Sequence, residues 1–235
     1  MDSIKYIGKP ADRNRGVYTL SEINSKIQDQ TYPTNYDIEN SCRFDGNASY
    51  LSKSFASGGS TTTWTLSLWI KRTKLSSESF IFGTGSSSDQ ANYFYLQTGG
   101  ADNLVMGNYA GNVKVYPSAK LRDSSSWYHV VVLFDSNTSI FKMYINGVEP
   151  SYGGHLPTSS SQSINSNRTH YIGLRESASY YLNAYLSDIY FIDGQALDPT
   201  HFAHSHPSTR RWSPKRYQGT YGNNGFHLEF KNKGT

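Results

Sequence analysis

The ten residues TWTLSLWIKR, positions 63–72, restrict this chain more than any other segment. Trp64, Leu66, Leu68 and Ile70 share one parity, and Thr65, Ser67, Trp69 and Lys71 share the other. Successive side chains of an extended strand point to opposite faces of a sheet, whereas a helix would spread these apolar residues around its circumference. The segment therefore reads as a strand with one face in a core and the other mostly polar around one large aromatic. Shorter segments of the same kind follow at 79–83, 93–98, 103–108 and 113–116, separated by Gly, Ser and Asn. Spacings near 8–12 residues with such turn residues are the pattern of a sandwich or barrel. The run WYHVVVLF, 127–134, is apolar on both parities, as a central strand is.

The remaining elements fit the same class. Residues 42–45 and 50–54 flank a turn at Gly46 and Asn47, and 139–145 alternates again before a turn at Asn146 and Gly147. Further strands are expected at 169–174, 186–192 and 226–230. Residues 151–167 read as a Ser/Gly/Asn-rich loop, and 198–204 as one helical turn capped by Asp198. No long helix interrupts the body and no internal repeat appears. The natural solution is an all-β, two-sheet antiparallel sandwich. Its core is expected to gather Trp64, Leu66, Leu68, Val130, Val132, Phe134, Phe141, Ile145, Ile189 and Phe191.

Composition excludes other classes. Charged residues are 17% and aromatics 14% of the 235, with 34 Ser, 20 Gly and 19 Tyr. Coiled coils need Ala, Glu, Lys and Leu, and disordered chains lack aromatics. The single cysteine, Cys42, rules out an intrachain disulfide framework. No apolar run approaches the roughly 18 residues of a membrane span, and MDSIKYIGKPADRNRG does not read as a signal peptide.

Two segments lie outside the strand pattern. In residues 1–39, Leu20, Ile23 and Ile27 recur at helical spacing, a stripe too short to be stable in water by itself. An arm of this kind must pack on something, and these three residues are candidate partner contacts. Near the other end, residues 201–235 carry six Lys and Arg against Glu229 alone, although the whole chain is only +4. Arg210, Arg211, Lys215 and Arg216 surround Trp212 in HPSTRRWSPKRY. Arg and Trp are favoured interface anchors, so this basic strap is the second candidate contact surface. Cations confined to one segment suit a local docking surface better than nucleic acid, which calls for a basic face. The expected organisation is an arm over 1–39, the sandwich over 40–204, and a basic strap with a final strand over 205–235.

The order of the blocks adds a family. FDGNASYLS, WTLSLWIKR, SSWYHVVVLFDS, MYINGVE, HYIGLRES and LSDIYFIDGQALDPTHF, closing with WSPKRY and TYGNNGFHLEF, resemble the laminin-G-like, concanavalin-A-like jelly roll. The resemblance extends to the versions found in virion proteins of bacteriophages, marine phages especially. The leader GVYTLSEINSKIQDQTYP also resembles leader segments of phage tail and fibre proteins. The sequence departs from the family at Ser49, often Asp there, and at Leu182, Asn183 and Ala184, where F-x-G is usual.

The resemblance implies a structural component of a phage particle: a tail-fibre, tail-associated or capsid-surface subunit, present in several copies. It would be made in the host cytoplasm and reside on the virion surface. It would be attached through its arm to other virion proteins, bind no nucleic acid and insert into no membrane. The alternative is a carbohydrate-binding module that recognises host surface polysaccharide, with a glycan depolymerase as a distant third. For sugar contacts, loop and edge residues Tyr109, Asn112, Tyr180 and Tyr181, with Tyr152 and Asn183, offer rings for apolar sugar faces and amides for hydroxyls. No catalytic pattern stands out. Asp188 and Asp193 are five apart and so face opposite surfaces of a strand, where retaining glycosidases need two carboxyls about 5–5.5 Å apart. No cofactor is expected. Calcium at the Asp45/Asn47 or Asp135/Asn137 turns would need several oxygen ligands, and His201, His204 and His206 are the nearest approach to a transition-metal cluster.

Overall fold

The computed structural model describes residues 5–7, 17–22, 24, 36–55, 59–84, 92–96, 101–108, 114–155, 163–175, 180–206 and 209–231. The chain forms two compact units: Met1–Asp37 with Thr200–Tyr217, and Ile38–Pro199 with Gln218–Thr235. Strands β1 (Lys5–Ile7) and β2 (Val17–Thr19) belong to the smaller unit. The larger unit runs through β3 (Cys42–Asp45), β4 (Leu51–Ser54), β5 (Thr63–Arg72), β6 (Ser79–Thr84), β7 (Asn92–Leu96), β8 (Leu104–Asn108) and β9 (Lys114–Pro117). It continues through β10 (Tyr128–Asp135), β11 (Ile140–Ile145), β12 (Tyr152–His155), β13 (Thr169–Ile172), β14 (Leu174–Arg175), β15 (Tyr180–Tyr181) and β16 (Asn183–Asp193). Strands β17 (Ala203–Ser205) and β18 (Trp212–Pro214) return to the smaller unit, and β19 (Phe226–Leu228) closes the larger one.

The larger unit is a jelly roll of two antiparallel sheets. One has six strands in the order β11-β10-β5-β16-β19, with β3 on the first half of β16; the other has seven, β12-β9-β8-β7-β6-β13-β4. The alternation read from the sequence is the register of the core. Val130, Val132 and Phe134 lie opposite Leu68, Leu66 and Trp64, and Phe191 lies opposite Leu66 on the other side. The facing sheet contributes Phe82, Met106, Val115 and Ile172. Phe191 joins the two sheets, with its ring 6.3 Å from Trp64 and 5.4 Å from Phe82. All ten expected core residues belong to this cluster or pack against it. Each large apolar side chain so buried contributes about 1.5–3 kcal/mol relative to exposure.

Four details differ from the sequence reading. Trp127, expected to open the strand over 127–134, precedes β10 and is 36% exposed. The expected loop over 151–167 begins with an edge strand, β12, paired with β9 through Gly153 and Gly154. The outer face of β5 is also buried. Thr65 bonds Gln195 and Leu197, and Ser67 bonds the His129 ring, which stacks on Trp69 at 4.9 Å. Finally, β16 carries a bulge between Ser187 and Tyr190, with Asp188 at φ 49. The extra residue turns the Asp188 carboxylate onto His227, at 2.6 Å, beneath a Tyr190 ring stacked 3.9 Å from the imidazole.

A buried polar knot ties three loops to one end of β16. Asp193 accepts from the Ser60 N–H, the Asn165 amide and the Asn224 N–H, and Asn224 in turn bonds Asn165. Gly222 sits here at φ 81, where a Cβ would lie 2.3 Å from the Asp193 carbonyl oxygen, so only glycine fits. The His170 ring accepts from the Asn165 N–H and donates to the Arg168 carbonyl, which requires the neutral imidazole.

In the smaller unit, β1 pairs with β2, and Leu20, Ser21, Glu22 and Asn24 are helical. Leu20 is exposed, while Ile23 and Ile27 lie outside the described residues. The basic segment is one arm of a hairpin, β18 on β17, with Phe202 and Tyr217 packed at 5.3 Å.

Burial holds His129 down to about 3 and His170 down to about 4, from an ordinary 6.5. Both stay neutral in the fold while the unfolded chain takes up protons below about pH 6.5. Their contribution is therefore complete above that pH and is lost as pH falls toward the folded values. Denaturation midpoints should be level from about pH 8 to 7 and drop between about pH 6.5 and 4.5, before carboxylates titrate. A midpoint unchanged across that window would contradict buried neutral histidines.

Candidate functional site

The strand ends near β3, β5 and β15 surround an open pocket of about 190 Å³. Gly46 enters it from the β3–β4 turn, and Lys74, Ser77 and Glu78 from the loop after β5. Ser79 begins β6, Tyr180 and Tyr181 form β15, and Asn183 opens β16. The lining is thus two phenol rings, one ammonium, one carboxylate, one amide and two hydroxyls.

Each wall is held by local chemistry. The 45–49 turn wraps the Asp45 carboxylate, whose Oδ1 accepts from the N–H groups of Asn47, Ala48 and Ser49. Those bonds, led by the Asn47 N–H, hold its pKa well below the usual carboxylate range. Gly46 has φ 80, and a Cβ there would come 2.7 Å from the Asn183 amide nitrogen. Asn183 is fixed from the other side: its Oδ1 accepts from Arg43 Nη2 at 2.6 Å and from the Thr73 hydroxyl at 2.5 Å. Tyr180 pairs with Arg175, whose guanidinium lies 5.6 Å from the ring centre, and the ring remains 38% exposed.

The loop wall rests on a buried ion pair. Arg72, fully buried at the end of β5, reaches Asp102 at 2.9 Å, the Leu121 carbonyl at 3.0 Å and the Lys74 carbonyl at 3.0 Å. Asp102 also accepts from the Ser76 N–H at 2.7 Å and faces Arg122 at 3.5 Å. Burial pushes the Asp102 pKa up, but the Ser76 N–H and the Arg72 guanidinium outweigh it and hold the pKa below the ordinary carboxylate value. Residues 73–78 thus hang from one charged anchor. The Ser77 hydroxyl is buried on the pocket wall without a hydrogen-bond partner.

The other sequence candidates are distributed as follows. Tyr180, Tyr181 and Asn183 meet in the pocket, while Tyr109 and Asn112 lie outside the described residues. Tyr152 serves the fold instead: its hydroxyl accepts from the Met143 N–H and bonds Glu149. Arg210, Arg211, Lys215 and Arg216 are exposed around a half-buried Trp212 in the smaller unit. Lys215 donates to the Thr200 carbonyl, and Arg216 lies 6.0 Å from the Tyr36 ring. His204 and His206 stack at 6.4 Å, and burial with His206 and Lys215 lowers the His204 pKa. Among the described residues no three His, Cys, Asp or Glu are placed to hold a metal ion. Asp135, like Asp45, caps its own turn, accepting from the Asn137 N–H and the Thr138 hydroxyl. The sequence reading placed Gly46 only in a turn and missed Lys74, Ser77, Glu78 and Ser79. The polar run KLSSES between two strong strands was the available signal.

A laminin-G-type family model, described as the concanavalin A-like lectin/glucanases superfamily, matches residues 45–201. The chain belongs to this superfamily. Its lectin-like jelly roll is similar to the heptameric SAP-like pentraxin of Limulus polyphemus, at 19% identity and TM-score 0.51 over 68% of this chain and 79% of that one. It is also similar to part of the Trypanosoma rangeli sialidase solved with 2,3-difluorosialic acid, at 14% identity and TM-score 0.50 over 68% of this chain and 26% of that one. At these identities the likeness shows the fold. No curated protein matches the sequence.

The anchor beneath the pocket can be tested directly. Asp102→Ala strands the buried Arg72 guanidinium, and removing one partner of a buried pair costs about 3–5 kcal/mol. Arg122→Ala, at the exposed partner, should cost under about 1 kcal/mol. Urea unfolding of both variants checks this, and equal losses would show that the buried contact is not the anchor.

Proposed function

We propose that this protein binds carbohydrate through the Tyr180 and Tyr181 pocket, and does so as an adsorption component on the surface of a bacteriophage particle. The observation that carries the first half is the pocket: two partly exposed phenol rings beside an amide, two hydroxyls and two charges, on a lectin-like jelly roll. Rings cover the apolar face of a sugar while the polar groups take its hydroxyls, the usual division of labour in a ligand site. Binding is favoured over hydrolysis because, among the described residues, the lining supplies one carboxylate, Glu78, where glycoside hydrolysis uses a pair. Asp188 and Asp193 are engaged elsewhere, with His227 and in the polar knot.

The second half rests on the ordered sequence blocks and on charge. The smaller unit carries nine Lys and Arg against five Asp and Glu, while the larger has thirteen of each. The whole net charge thus sits in the unit that holds the arm and the basic hairpin. That unit is the proposed attachment to other virion proteins, with the jelly roll, in several copies, facing the host.

Tyr180→Ala, at an exposed ring, should leave the circular dichroism spectrum intact and weaken glycan binding by about tenfold. Retained affinity on a glycan array would place binding elsewhere. Charge reversal at Arg210 and Arg211 should leave the protein folded but reduce its incorporation into particles, counted by immunoblot of purified phage. Normal incorporation would remove the hairpin from the attachment.

A further inference from the structure

We propose that the Tyr180 and Tyr181 pocket selects an acidic sugar, one carrying a carboxylate. The inference rests on the carbohydrate reading above and adds the ligand class to it.

The pocket's hydrogen-bonding groups are biased toward donation. Asn183 Oδ1 accepts from Arg43 and shares the Thr73 hydroxyl proton with its own backbone carbonyl. Its amide N–H₂, beside Gly46 on the pocket wall, is left to donate. The Ser77 hydroxyl is buried there without a partner and gains most from a strong acceptor. Lys74 adds an ammonium with three donors and no accepting capacity. A carboxylate offers about four lone-pair sites and a full charge, which satisfies all three at once.

Charge points the same way. Around the pocket stand Lys74, Arg43 bonded to Asn183, and Arg175 against the Tyr180 ring. Among the described residues the opposing carboxylates are Glu78 and Asp45, and the second has Oδ1 wrapped by three backbone N–H groups. Lys74 and Glu78 line one pocket without an ion pair between them. Lys74 then faces the sugar carboxylate, and Glu78 accepts from hydroxyls on another part of the ring. Two opposite charges held apart orient the sugar, which a uniformly polar pocket would not do. Size limits how much of a chain enters. About 190 Å³ is below the roughly 300–1,000 Å³ of ordinary small-molecule sites, so the pocket has room for a single sugar unit.

The test titrates the full chain with a panel of uronic- and sialic-acid oligosaccharides and their carboxyl-reduced counterparts, at low salt. The acidic member of a binding pair should bind at least about tenfold tighter, and the preference should shrink as salt screens the charge. Lys74→Gln, on an exposed loop, should abolish the preference while binding of the reduced sugar persists. Tyr180→Ala should weaken both. Equal binding of acidic and reduced sugars, unaffected by Lys74→Gln, overturns the acidic selection and leaves carbohydrate binding standing. No binding by any member of the panel overturns both.

Discussion

The fold depends on the two-sided pairing of one strand, Thr63–Arg72. It is hydrogen-bonded to Tyr128–Asp135 along one edge and to Asn183–Asp193 along the other, so its register dictates that of both neighbours. A slip of one residue would turn Trp64, Leu66, Leu68 and Ile70 out of the core and bring Thr65 and Ser67 in. Burial on one face fixes the register, and buried polar contacts on the other face reinforce it, through Thr65 with Gln195 and Ser67 with His129.

The same strand positions the candidate site. At its end, the inward parity that carries Trp64 through Ile70 delivers Arg72, a charge in a place meant for apolar atoms. An isolated buried charge is prohibitive, so the chain brings Asp102 and the carbonyls of Leu121 and Lys74 to it. The loop carrying Lys74, Ser77 and Glu78 is thereby tied to the strand end. At the other end of the sandwich, Asp193 plays an equivalent role with Asn165 and Asn224. Polar networks thus fix the loops, and the apolar core fixes the sheets.

The strands were legible in the sequence wherever period-two alternation met a buried face. Residues 42–45 and 63–72 fall where the pattern put them, as does the core around Phe134 and Phe191. Trp127 misled because an aromatic beside an apolar run looks like part of it, and burial is not encoded in one residue. The edge strand Tyr152–His155 was hidden by its glycines, which weaken strand propensity yet let the Tyr116 ring lie against Gly153. For the pocket, two tyrosines and Asn183 were readable as sugar-binding chemistry. Lys74, Ser77 and Glu78 were not, because a polar loop looks the same whether it faces solvent or is clamped by Arg72. The bulge at Asp188 depends on pairing with β5 and has no local signature.

The proposed acidic-sugar site at these strand ends is tested by a crystal structure of the chain grown with an excess of a uronic-acid trisaccharide. The prediction is a sugar ring against Tyr180, with its carboxylate within hydrogen-bonding distance of Lys74 and of the Asn183 amide. A sugar bound on another face of the jelly roll, with the Tyr180 pocket empty, would contradict it.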